Sequence, residues 1–267
     1  MNQSTTSRYK LSVAAMTDIG RTRTSNQDAF VVAPLAAEAL PISENRAAAV
    51  LEVEPRPVLL AVSDGMGGAA AGEVASALVV ESLRRSLPAE SASWDLSIQS
   101  AVARANEEVW KAAQTPKHHG MGATLTAVCV HGNEAHVAEV GDSRAYIVRG
   151  GQIRQITRDQ SYVQMLLDAG AVSPDEAAHS PMKNVILSAM GIKPEVRVEM
   201  GHFALDAGDT ILVCCDGLTN EVADHDIARV LATSPSPADA CTMLVQLANE
   251  HGGHDNITVI VARLDDA

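Results

Sequence analysis

The chain has 267 residues, 46% of them hydrophobic but only 3% aromatic, and a formal net charge of -13. That length can bury a large core filled mainly by aliphatic side chains, while the acidic balance argues against nucleic acid as a partner, since a phosphate backbone needs a basic face. The polar stretch Met1 to Lys10 has no apolar signal segment and no run reaches the roughly 18 apolar residues of a membrane span, so no membrane partner and a cytoplasmic location are expected.

Residues 1–8 read as a disordered N-terminus and 9–265 as one domain. Tyr9 to Met16 and Ala29 to Val32 are predicted strands, followed by Pro34 to Pro57, a long loop or extended hairpin with Pro, Ala and scattered charge. Val58 to Ser63 is a continuous apolar run that delivers Asp64-Gly65, the mark of a buried strand closed by a turn. Gly65-Met66-Gly67-Gly68 can approach a ligand closely through its backbone. Gly72 then opens an amphipathic helix with Val74, Leu78 and Leu83 on one face. Ser93 caps a second helix, where Ile98, Val102, Ala105, Val109 and Ala112 step by four and three. Both helices are expected on one face of a sheet.

Thr124 to Val148 reads as antiparallel hairpins broken at His131-Gly132-Asn133 and at Gly141-Asp142. Residues 159–191 form a predicted helical flap: a short helix around Val163, Leu166 and Leu167 ends at Gly170, and Ser173-Pro174-Asp175-Glu176 starts another. Strands follow at Val196 to His202 and Thr210 to Cys215, the second delivering Asp216-Gly217. Helices Asp224 to Leu231 and Ser236 to Glu250 precede the last strand, Ile257 to Val261. The order fits an α+β sandwich of antiparallel sheets with helices outside. Cys129, Cys214, Cys215 and Cys241 lack metal-site spacing and read as reduced core residues.

If the two Asp-Gly strands lie side by side, two carboxylates meet. At ~4 Å such charges repel by about 4 kcal/mol at an effective dielectric near 20, so the pair calls for a cation or a proton. Asp28, Asp142 and Asp255 occupy similar strand ends. Each alone is an ordinary turn former, and Asp142 could simply pair with Arg144, but five together could converge on one rim. Oxygen donors without a His or Cys cluster favour magnesium or manganese over zinc. A carboxylate bridging two such ions would create a metal-bound hydroxide opposite a phosphoryl group, hydrolysing a phosphoester without a protein nucleophile.

The segments Thr17 to Asp28, Asp64-Gly65-Met66-Gly67-Gly68, Gly120-Met121-Gly122-Ala123-Thr124, Gly141-Asp142-Ser143-Arg144, Asp216-Gly217-Leu218-Thr219 and Asp255-Asn256-Ile257-Thr258 appear in one order along almost the whole chain. Together they resemble the metal-dependent protein serine/threonine phosphatases, also called protein phosphatase 2C, in their bacterial form. The resemblance implies a four-layer αββα sandwich with two central sheets flanked by helix pairs. It makes Asp64 the bridging ligand of two Mn2+ or Mg2+ ions, with the Gly65 carbonyl on one, Asp216 and Asp255 on the other, and Asp28 beside them. Asp142, with Asp216, would help hold a third ion. Arg23 falls at the phosphate-binding arginine, with Arg21 the nearby competitor, and Asn26 shapes the turn presenting Asp28.

The sequence departs from some relatives in having Met66 and Ala69 where a proton-donating histidine would follow the Asp-Gly motif. The leaving-group proton then comes from water or from another residue, with His118, His119 and His179 as candidates. Lys183-Asn184 stands where relatives often have Arg-Asn. The implied partners are phosphorylated protein substrates of a cognate serine/threonine kinase, met by a monomer. A non-catalytic phosphoprotein-binding module of the same fold and a phosphoesterase for small molecules are the alternatives.

Overall fold

The structure, a computed structural model, describes residues 8–267, so most of the expected disordered stretch 1–8 lies outside the described residues. In chain order it forms β1 (Tyr9–Asp18), β2 (Asp28–Pro34), β3 (Arg46–Glu52), β4 (Val58–Met66), α1 (Ala69–Ser86) and α2 (Trp94–Ala113). Then come β5 (Gly122–Ala123), β6 (Leu125–His131), β7 (Glu134–Val140), β8 (Arg144–Arg149), β9 (Gln152–Gln155), α3 (Tyr162–Asp168) and α4 (Pro174–Ala178). The chain closes with β10 (Glu199–Ala204), β11 (Thr210–Cys214), α5 (Asp216–Thr219), α6 (Asp224–Thr233), α7 (Pro237–Glu250) and β12 (Ile257–Asp266).

The strands make two antiparallel sheets, one in the order β3-β1-β12-β11-β8-β9 and one in the order β10-β7-β6-β4-β2, with β5 paired to β4. Their inner faces share a core in which Leu60, Val62, Val128 and Val137 meet Val13, Ala145, Val213 and Ile260. Outside the second sheet lie α1 and α2, packed on Leu59, Ala61 and Cys129. Outside the first lie α5, α6 and α7, packed on Tyr146, Leu212, Val259 and Val261. This is the four-layer α+β sandwich. It also explains the unbroken apolar runs: Leu59 and Ala61 face the helices while Val58, Leu60 and Val62 face the other sheet, so alternation disappears when both faces are buried.

Several expectations change in detail. The strands ending in the two Asp-Gly pairs are not neighbours in one sheet: β4 and β11 belong to different sheets that face each other. Gly141 to Ser143 is no hairpin turn either, because it carries the chain from β7 in one sheet to β8 in the other. The segment from Pro34 to Pro57 contains β3, which extends the first sheet by pairing with β1. Strand β10 begins at Glu199, later than Val196, although Val196 and Val198 still pack on the helical core. Helix α1 begins three residues before Gly72, and its buried stripe is Ala75, Val79 and Leu83, one position on from Val74, which is 38% exposed.

The helix caps follow their sequence signals. The Ser93 hydroxyl accepts from Leu96 N–H, and Ser173 with Glu176 closes a capping box on α4. All four cysteines are free and buried. Burial pushes the thiols of Cys129, Cys214 and Cys241 up to about 12, which keeps them protonated and unreactive. Among the described residues no helix is long and apolar enough to cross a membrane.

The different surroundings of two apolar side chains give a direct check. Leu60→Ala, opening a cavity between the sheets, should cost about 3 kcal/mol in urea unfolding, whereas Val74→Ala on the exposed side of α1 should stay within about 0.5 kcal/mol. Equal losses would mean that the helix face is assigned wrongly.

Candidate metal centre

At one end of the sandwich both sheets stop at acids. Asp28 opens β2 and stands directly opposite Asp64 of β4 in the antiparallel register. From the other sheet, Asp216 follows β11 as the first residue of α5, and Asp255 precedes β12. Asp142 sits in the crossing between the sheets and is itself buried. The structure therefore brings Asp28, Asp64, Asp142, Asp216 and Asp255 to one rim.

Their mutual repulsion is visible in their protonation. Burial, and then the charges of Asp28, Asp216, Asp255 and Asp142, push the Asp64 carboxyl well above the usual carboxylate range. Asp28 is raised to about 7, first by burial and then by Asp216 and Asp255, against the pull of its hydrogen bonds. Asp142 rises to about 8 through burial and the charge of Asp216. Asp216 is raised by burial and by Asp255, and lies close enough to Asp64 to share a proton. One oxygen each of Asp28 and Asp216 is buried with no hydrogen-bond partner. Orphaned carboxylate oxygens facing other carboxylates are what a hard divalent cation would satisfy, so the donor set fits manganese or magnesium.

Hydrogen bonds hold the acids at the rim. Asn26 donates to the Thr17 hydroxyl and Thr17 to Thr258, which donates to Asp28 Oδ2 at 2.7 Å. Asn26 also accepts the Asp28 N–H, forming the turn that presents it. The Asp64 N–H donates to Thr124 Oγ1 at 2.9 Å, and Thr124 touches Ser143 of the crossing at 2.8 Å. Asn220, one turn along α5, donates to Asp216 Oδ2. Asn256 ties the loop carrying Arg23 to the start of β12 by accepting from Gln27 and donating to the carbonyls of Ile19 and Ser25.

The glycines of both Asp-Gly pairs are required by close backbone approach. A Cβ on Gly65 would lie 2.1 Å from the Gly72 carbonyl oxygen, and one on Gly217 would lie 2.0 Å from that of Asn256.

Arg23 reaches over the rim. It is half-exposed, and its Nη2 donates to Asp255 Oδ2 at 2.6 Å. Arg21 instead follows Gly253 through its backbone N–H. The bland reading of Asp142 as a partner of Arg144 fails, because Arg144 binds both oxygens of Asp159, with Nη2 to Oδ2 at 2.7 Å. His179 is exposed and bonded to its own helix through the Asp175 carbonyl, which gives it no contact with the acids.

Sequence reasoning gave no role to Thr258, Thr124, Asn220, Asn256 or Asp159. The Asp-to-Asn spacing of four from Asp216 to Asn220 was a usable helical signal. Thr124, Asn256 and Thr258 lie within the segments that carry the family resemblance, but their partners are far along the chain, and no local pattern marks Asp159.

A sandwich with an acidic, cation-seeking rim between its sheets defines a metal-dependent hydrolase class. A family model described as protein phosphatase 2C matches residues 47–251. The serine/threonine protein phosphatase PstP of Mycobacterium tuberculosis is 41% identical over 213 residues, 78% of this chain and 40% of that protein. The chain thus spans about two fifths of the length of that relative. The protein phosphatase PhpP of Streptococcus pneumoniae is 32% identical over 267 residues, 96% of this chain and 98% of that protein. The solved catalytic domain of PstP in complex with two manganese ions matches with a TM-score of 0.79 at 34% identity, covering 97% of this chain and 100% of that one. The chain belongs to the protein phosphatase 2C family of metal-dependent serine/threonine phosphatases. The oxygen donors of the rim are chemically suited to a divalent cation.

Raised carboxyls have a consequence for the metal-free protein. In the folded state Asp28 and Asp142 keep protons up to about 7 and about 8, which the unfolded chain releases near its ordinary value of about 4. The contribution is fully present below pH ~4 and lost as pH rises through those folded values. In chelator, the melting temperature should fall between pH 5 and 8, and the increase produced by added Mn2+ should grow over the same range. A melting temperature in chelator that climbs with pH would contradict this electrostatic account.

Proposed function

We propose that this chain is a cytoplasmic, monomeric phosphatase that hydrolyses phosphoserine and phosphothreonine in proteins, acting on substrates of a cognate serine/threonine kinase. One observation carries the reading: five aspartates from both sheets meet at a desolvated rim, with two of their oxygens lacking any partner. Asp64 would bridge two Mn2+ or Mg2+ ions, with the Gly65 carbonyl, Asp216, Asp255 and Asp28 completing the donor set and Asp142 serving a third. When bound, such ions supply the attacking hydroxide by acidifying a shared water and neutralise the phosphoryl oxygens.

The side chains of the rim do the rest. Arg23 is planar, permanently charged and half-exposed beside the acids, so its fork suits two phosphoryl oxygens and would hold them in line for attack. In the structure its partner is Asp255, an internal stand-in for an anion. Thr258 and Thr124 fix Asp28 and Asp64 before substrate arrives, which lowers the reorganisation needed on binding. The segment 159–191 is assigned as a flap over the protein substrate. It holds Asp159, whose pairing with Arg144 leaves Asp142 free to face Asp216.

Asp64→Asn and Asp216→Asn should each reduce Mn2+-dependent hydrolysis of a phosphopeptide to about a hundredth or less while circular dichroism stays native. Wild-type turnover in both would end the assignment. Arg23→Ala should lower kcat/KM by about 10- to 100-fold, with most of the loss in KM, since a charged hydrogen bond to phosphate is removed. Comparing phosphopeptides with small phosphate esters separates the two substrate classes. Preference for the small esters would favour the small-molecule reading.

A further inference from the structure

A second group of metal-binding side chains lies far from the acidic rim. His136 of β7 and His202 of β10 are directly opposed across the ladder, and their rings stack with centroids 4.5 Å apart and planes 6° from parallel. Asp95, in the first turn of α2, stands at 2.6 Å from His136 Nδ1. Glu134 lies two residues before His136 on the same strand face, with carboxylate oxygens 4.0 Å from His136 Nε2 and 3.6 Å from His202 Nε2. One donor atom from each of Asp95, His136 and His202 falls within 4.8 Å of the others. His136 lies six residues before Asp142, which follows the end of β7, a span of at most about 20 Å at the rise of an extended strand.

The contact between His136 and Asp95 gives the cluster a direction. In the tautomer that donates Nδ1–H to Asp95, Nε2 is the nitrogen left to bind a metal. That nitrogen is buried, in a side chain only 7% exposed, and has no hydrogen-bond partner. It faces Glu134 and the neighbouring imidazole. A carboxylate that fixes one histidine nitrogen so that the other can bind a metal is the usual outer support of zinc sites. Donors at about 2.1 Å in a tetrahedral site stand roughly 3.4 Å apart, close to the two separations from Glu134.

We propose that Nε2 of His136, Nε2 of His202 and the Glu134 carboxylate form a site for a zinc-like divalent ion, with Asp95 orienting His136. His202 is half-exposed, so its ring is free to turn Nε2 toward the point that His136 Nε2 and Glu134 face. Imidazole donors select zinc, nickel or copper over the magnesium or manganese suited to the oxygen-only rim, so the two sites differ in the ions they hold. Asp95 and Glu134 are half-exposed, which leaves the ion a path from solvent. Because His136 and Glu134 come from β7 and His202 from the edge strand β10, the ion would staple that edge of the second sheet, while Asp95 ties His136 to α2.

The test is equilibrium dialysis of the full chain against Zn2+ with Mg2+ in large excess to fill the rim. Wild type and Asp64→Asn should each retain one zinc that His202→Ala lacks, and Asp95→Asn should bind that zinc about tenfold more weakly. His202→Ala removes a half-exposed side chain outside the rim, so its fold and its phosphatase turnover should be unchanged, and Glu134→Gln gives a second variant with the same expected loss. Equal zinc retention in wild type, His202→Ala and Glu134→Gln, including none in all three, would overturn the site. Loss of the zinc in Asp64→Asn alone would assign it to the rim instead.

Discussion

The structure depends on holding like charges together. Asp28 and Asp64 face each other across a β ladder, a placement that ordinarily weakens a sheet, and Asp216 and Asp255 approach from the opposite sheet. Nothing local to any one acid makes this tolerable. What resists the repulsion is the two-sheet frame, whose inner core of Val, Leu, Ile and Ala positions the strand ends, together with Thr258, which donates to Asp28 Oδ2, and Thr124, which accepts the Asp64 N–H. Asp28 Oδ1 and Asp216 Oδ1 stay unpaired. Apolar burial, distributed over the sandwich, thus supports an electrostatically unfavourable rim whose repulsion bound divalent cations would relieve.

That arrangement also accounts for what the sequence made legible. A strand buried on both faces has no alternation to hide, so β4 and β11 stood out as apolar runs, each ending at the acid that matters. The caps of α2 and α4 were readable because a serine and the residues after it act on their own backbone. Partnership across the chain was not. Apolar runs do not say which sheet they join, so β4 and β11 could be read as neighbours when they face each other. For the same reason Gly141 to Ser143 looked like a hairpin turn although it spans the sandwich.

Charge pairing shows the same limit more sharply. Arg144 is two residues from Asp142, which made a local pair the alternative to a metal role for Asp142, yet its guanidinium takes both oxygens of Asp159, fifteen residues on. The choice follows from chemistry once the fold is known: a bidentate partner satisfies the planar fork, and it leaves Asp142 among acids where an arginine would compete with a cation. Val74 illustrates a smaller error of the same kind. One residue of helical phase, about 100° around the axis, moves a side chain from the core stripe to solvent.

The two clusters differ in the kind of constraint that built them. At the rim the donors are five carboxylates brought together from strand ends and turns of both sheets. On the outer face of the second sheet, His136 and His202 are fixed by the ladder itself, directly opposite one another, and need only one helix residue, Asp95, to set the tautomer. Register therefore does for the imidazoles what the meeting of two sheets does for the carboxylates. Oxygen donors gathered from strand ends and turns suit hard ions that keep some of their water, while nitrogen donors set on neighbouring strands suit a zinc-like ion. The separation of these chemistries along β7 lets one fold hold both without either set competing for the other's metal.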